Sequence, residues 1–156
     1  MAKFVSVEVT PVCSTGVMAQ GVIAFNPIEI KGVVPSHGGS ALLKSVTYID
    51  LDDLANACTL VFFRKGTHDI GTLGAAPSIN DARLLENGFI GDVNIPAPVT
   101  KTHGDFTNSY SQSVNNIDLV IDTADGSNSI YMAGLANGAG THSADGLRIR
   151  LGFEVN

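Results

Sequence analysis

Three carboxylates raise the first question of chemistry. Asp50, Asp52 and Asp53 stand in the run DLDD, and acids at alternate positions can share a hard cation such as Ca²⁺ or Mg²⁺. An EF-hand loop starting at Asp50 would need Gly at its sixth position and Glu at its twelfth, but Ala55 and Val61 stand there. DLDD therefore reads as a solvated acidic turn. Asp122, Asp125 and Asn128 surround a second turn, where Asp-Gly-Ser is explained by backbone preference alone. The four histidines, His37, His68, His103 and His142, fall in loop-like SHGG, THD, THGD and THS contexts. None has HxH or HExxH spacing, so they read as separate exposed side chains with no local zinc motif. His68–Asp69 and His103–Asp105 each offer half of a catalytic dyad, but a GxSxG elbow is missing and neither cysteine has thiol-protease flanks. The glycine-rich run at 134–140, GLANGAG, lacks GxGxxG and a following helix pattern, so it reads as a loop and not a phosphate cradle. Cys13 and Cys58 have no CxxC partner and are expected to be buried free thiols. The residues thus predict no catalytic, cofactor-binding or metal site and a protein that is not an enzyme.

The composition asks for an architecture that would leave loops in those places. At 156 residues the chain is long enough for one self-sufficient domain. Apolar residues make up 44% and charged residues only 15%, against roughly 25% charged in an average soluble protein. Seventeen glycines and six prolines punctuate it too often for a helical bundle. The formal charge is −6 without a basic run, which argues against a nucleic-acid partner, because phosphate neutralisation needs a positive footprint. No stretch approaches the ~20 apolar residues of a membrane span, and MAKFVSVEV lacks the h-region of a secretory signal.

Hydrophobic periodicity supplies the elements. Residues 3–10 alternate Val5, Val7 and Val9 with polar neighbours, and residues 147–155 alternate five apolar side chains with Arg148, Arg150, Gly152 and Glu154. Further strands are expected over 17–25, 28–34, 42–51, 58–63, 89–95, 117–122 and 129–135, with Asn26–Pro27 as a turn. Residues 100–113 read as a surface loop or irregular edge. In the strand at 42–51, Leu43, Ile49 and Leu51 would share one face and Leu42, Val46 and Tyr48 the other. Together with 58–63 it would form a hairpin, and 124–128 would turn a second one. The strand at 58–63 is apolar on both faces and so should be covered twice, on its second face by a short helix, a loop or another subunit. Leu60 and Phe62 are the residues assigned to that second face. One helix is predicted over 78–87, capped by Ser78 with Ile79, Ala82 and Leu85 on one face. Arg148 and Arg150 are placed to pair with Asp118 or Asp122. The fold class is all-β: an antiparallel β-sandwich or jelly-roll-like barrel with one short helix. It forms a single domain over 1–156 in which 1–39 serve as an N-terminal arm or edge strands engaging a neighbouring subunit.

Several segments also carry a resemblance. ALLKSVTYIDLDD, then LVFF, a short Asp-containing helix, and NNIDLVIDTADGSNSIYMAGLANGAGTHSADGLRIRLGFE resemble a group of tailed-bacteriophage virion structural proteins, from about Ser40 to the C-terminus. With the small size, the resemblance implies a capsid decoration (cement) protein. Such a protein is made in the host cytoplasm, sits on the capsid surface, binds the major capsid protein and is often a homotrimer. It has no cofactor and touches neither nucleic acid nor membrane. The reading from another class is a tail- or fibre-associated glycan-binding module, disfavoured by 6% aromatics and the lack of Trp. A small metal-dependent hydrolase built from the loop histidines and aspartates is the third.

Overall fold

The computed structural model describes residues 1–98 and 109–155. Eight strands and one helix follow in the order β1 (Lys3–Val9), β2 (Val22–Ile30), β3 (Ser40–Asp50), β4 (Cys58–Phe63), α1 (Asp81–Asn87), β5 (Phe89–Ile95), β6 (Tyr110–Asp122), β7 (Ile130–Ala136) and β8 (Leu147–Val155). They form two four-stranded antiparallel sheets, β1-β8-β3-β6 and β2-β7-β4-β5. The chain steps between the sheets as it advances, and its last strand lies between the first and third. That is the strand order of a jelly roll.

The predicted hairpins are corrected by this topology. β3 and β4 lie in different sheets, as do β6 and β7, so residues 51–57 and 123–129 cross between layers instead of turning within one. Period-two alternation identifies a strand but not its partner. The strands expected at 17–25 and 28–34 are one strand, β2, running through Asn26 and Pro27. A proline is tolerated there because β2 is a sheet edge with two register shifts. Asn26 also pins that bend, accepting from Ile70 N–H at 3.0 Å and donating to the Gly71 carbonyl at 2.9 Å. The run at 134–140 is not all loop, since β7 continues to Ala136.

A bulge decides the faces of β3. Its register with both neighbours shifts between Leu43 and Ser45, which reverses the alternation. Leu43, Val46, Tyr48 and Asp50 are all buried, while Ile49 is only half-buried and Leu51 is exposed. The expected grouping of Leu43 with Ile49 and Leu51 therefore fails at the bulge.

The main core lies between the sheets and includes Phe25, Leu43, Val46, Tyr48, Leu60, Phe62, Ile121, Met132 and Phe153. A second cluster lies on the far side of the β2-β7-β4-β5 sheet. There Ile23, Phe63, Ile70 and Ala133 pack with Val61, Tyr131, Ile79 and Leu84. The strand at 58–63 is covered twice, as expected, and its second cover is the chain's own residues 64–88. The residues change places, however: Val61 and Phe63 meet that cover, whereas Leu60 and Phe62 face the main core. The helix itself is shorter than its pattern. Asn80, not Ser78, caps it, accepting from Arg83 N–H at 2.9 Å; Ser78 and Ile79 still belong to the lead-in, where both backbone N–H groups donate to Ile70 O. Leu85 points outward and Leu84 packs. Cys13 and Cys58 are buried and free.

Candidate functional site

Among the described residues, a buried group of ionisable side chains sits at the end of the sandwich where residues 10–21, 51–57 and 137–146 meet. Backbone bonds tie these connections together: Cys13 N–H to Ala144 O, Leu51 N–H to Gly146 O, Met18 N–H to Gly140 O and Asn137 N–H to Ala57 O. Asp50 is the last residue of β3, and the bulge turns it inward, where it is completely buried. Its carboxylate accepts from the backbone N–H groups of Asp52 (2.9 Å), Leu54 (3.1 Å) and Ala55 (3.1 Å). These bonds hold a turn in which Asp53 and Ala55 adopt positive φ, a conformation that costs L-residues roughly 1 kcal/mol each. Asp52 reaches the opposite connection, accepting from Ser143 N–H at 2.8 Å, Ser143 Oγ at 2.7 Å and His142 Nδ1 at 3.2 Å. His142 is buried at 3% exposure, with Nδ1 3.8 Å from Asp50 Oδ1.

These placements overturn two expectations. DLDD is not simply a solvated turn, because its first acid anchors the interior of the connection. The histidines are not all exposed either: His142 is buried against both carboxylates, although His37 is exposed and His68 is half-buried beside Glu86. His103 and Asp105 lie outside the described residues. Residues 50 and 142 are far apart in the chain and no local spacing joins them. The one sequence signal was the parity of β3, and the bulge hides it.

Among the described residues, Asp50, Asp52 and His142 are the one group with potential metal-ligand atoms mutually within 4.8 Å. Their oxygens are already engaged, since the two carboxylates accept from six donors between them. Burial pushes the Asp52 carboxyl up, yet the Ser143 and His142 interactions outweigh it and hold the group below its ordinary value. The arrangement is thus chemically suited to clamp two connections. Gly146 completes it, because a Cβ there would fall 1.7 Å from Asp52 Oδ2. The nearby thiols are poor nucleophiles: burial, reinforced by Asp52 and Asp50, pushes Cys13 up to about 12, and burial does the same for Cys58.

The other predicted groups disperse. Asp122 pairs with Arg64, Asp118 with Lys44, and Asp125 is exposed. Arg150 meets Glu8 at 2.9 Å and Arg148 donates to the Asp145 and Leu147 carbonyls, so neither arginine reaches the expected aspartates. Topology explains this: β8 pairs with β1 and β3 and is separated from β6 by β3. A cleft at the opposite end of the sandwich is lined by Arg64, Lys65, Leu85, Asp122 and Asp125, with Arg64 already paired.

Among the described residues, one sheet face carries exposed apolar side chains in register. On the outside of β1-β8-β3-β6, the register aligns Phe4, Glu154, Leu42 and Val120 in one row across all four strands. Phe4 is 71% exposed and Val120 62%. Beside the row, Lys44 bonds Asp118 and lies 3.9 Å from Glu154.

No protein-family model matches the sequence, and no curated protein matches it. Among solved structures, the chain is similar to the crystal structure of tomato aspermy virus, at 9% identity and a TM-score of 0.43 over 98% of this chain and 76% of that one. It is also similar to a chain of the cyanophage Pam1 capsid asymmetric unit, at 17% identity and 0.34 over 99% and 85%. The PRD1 vertex protein aligns at 9% identity and 0.40 over 98% and 96%.

Proposed function

We propose that this chain is a non-enzymatic structural protein of a tailed-phage virion, specifically a capsid decoration protein. In this reading it binds the outer shell and stabilises contacts between major capsid proteins. The observation that carries the reading is the contrast between the two outer faces. One is sealed by residues 64–88, while the other presents Phe4, Leu42 and Val120 in register, with Glu154 between Phe4 and Leu42 and Lys44 beside them. A row of apolar anchors within a polar surround is the composition of a protein interface. The resemblance of residues 40–156 to phage virion proteins supplies the partner class. The buried polar groups of the described residues support a non-catalytic role, because Asp50, Asp52 and His142 are used to hold connections together. The net charge of −6 suits a protein on the outside of a shell, away from packaged DNA. Among the described residues β1 and β6 are the outermost strands of the same sheet, and an outer strand can pair with one from a neighbouring chain. A homotrimer seated where capsid subunits meet would present three copies of the face.

Co-sedimentation tests this reading. The purified protein is expected to pellet with assembled shells and to remain in the supernatant with dissociated major capsid protein. Failure to bind shells, or equal binding to both, overturns it. Binding to a surface glycan in place of shells would favour the tail- or fibre-associated module.

A further inference from the structure

The chain contains two Asn-Gly pairs, Asn87–Gly88 and Asn137–Gly138, and the fold treats them in opposite ways. Asn87 ends α1 and is completely buried. Its Oδ1 accepts from His68 N–H at 3.0 Å and its Nδ2 donates to His68 O at 2.8 Å. Gly88 N–H is donated to Leu85 O at 3.0 Å as the helix cap. Every group that could react is therefore occupied.

Asn137 follows β7 and is half-buried. Its Nδ2 donates to Thr59 Oγ1 at 2.8 Å. Among the described residues its Oδ1 has no donor and Gly138 N–H has no acceptor. Residue 138 cannot readily carry a side chain to shield that nitrogen, because a Cβ would lie 2.4 Å from Asn56 Oδ1. Packing against Asn56 thus keeps glycine where it leaves the backbone nitrogen most accessible to the preceding side chain.

We propose that Asn137 is a site of self-modification. The Gly138 backbone nitrogen attacks Asn137 Cγ, a new C–N bond closes a five-membered succinimide, and the side-chain nitrogen leaves as ammonia with the proton from the backbone amide. Water then opens the ring at either carbonyl, giving aspartate or isoaspartate. The net reaction consumes one water and releases one ammonia. Each conversion adds a negative charge to the chain and removes the donor to Thr59 on β4. The isoaspartate product also lengthens the main chain next to the Asn137 N–H that donates to Ala57 O. The change falls where the end of β7 meets residues 51–57, so it loosens the contact between those connections as the protein ages.

The test is timed incubation of the folded full chain at mildly alkaline pH, with peptide mapping by mass spectrometry. Asn137 is expected to convert at least about tenfold faster than Asn87, the factor given by little more than one net hydrogen bond. In urea the two rates should converge, which shows that the fold sets the difference. Thr59→Ala frees Nδ2 and should accelerate conversion at Asn137 without changing Asn87. Equal rates in the folded chain, or faster conversion at Asn87, would overturn the proposal. So would a Thr59→Ala variant in which Asn137 stays intact.

Discussion

The two outer faces of this sandwich are built from similar strands and end in opposite states. On β2-β7-β4-β5, Val61, Phe63 and Tyr131 are covered by Ile70, Ile79 and Leu84. On β1-β8-β3-β6, Phe4 and Val120 stand in solvent. The difference comes from the connections. β4 and β5 are joined by residues 64–88, long enough to fold back and carry a capped helix, whereas among the described residues no connection packs over Phe4 and Val120 on the other sheet. A face covered by the chain itself contributes to stability. A bare apolar row contributes little to it and remains available for a partner.

Removing a side chain from the covered face should have the largest effect. Phe63→Ala is expected to destabilise by about 3–5 kcal/mol, read as a lower urea midpoint with unchanged slope. A loss under about 1 kcal/mol would mean that residues 64–88 are not a true cover. The buried clamp belongs to neither face and gives an internal standard. Asp50→Ala would orphan three backbone donors, each worth about 1–3 kcal/mol when buried and unpaired, so a loss of about 3 kcal/mol is expected in the same titration.

The helix that completes the cover depends on its cap. Asn80→Ala should cost about 1 kcal/mol, and Asn80→Asp should largely restore it; thermal unfolding resolves both. Acid should act on the clamp and spare the cover. Asp52 is held below its ordinary value in the folded protein, so its contribution is present above the unfolded carboxylate range, near pH 4. It is lost as pH falls through the folded value. Asp52→Asn should remove part of the acid sensitivity below about pH 4, measured as the pH dependence of the urea midpoint. The bare face comes last in stability. Phe4→Ser and Val120→Ser together should change it by no more than about 0.5 kcal/mol, yet abolish pelleting with shells. A large stability loss would show that the row serves the fold and not a partner.

Much of the scaffold was legible in the sequence. β4, β5 and β8 match their expected limits, because β4 is a continuous apolar run, β8 is a strict alternation, and β5 lies between Asn87–Gly88 and Pro96. The face assignments of β3 were not legible. A bulge at Lys44 changes parity without changing composition, and Asp50 consequently faces inward. The exposed Leu85 and packed Leu84 show the same limit in a helix only two turns long. The clamp was missed for a different reason: it joins Asp52 to Ser143 and His142 through three-dimensional closure of the jelly roll. The bare row Phe4–Leu42–Val120 likewise depends on cross-strand register, which a linear pattern does not fix.

The most direct test of the account is a high-resolution electron cryo-microscopy image of the virion. Copies of this chain are expected on the outer shell, with Phe4, Leu42 and Val120 facing major capsid protein and residues 64–88 turned away. A shell without this protein, or one that it contacts through the covered face while the row stays in solvent, would contradict it.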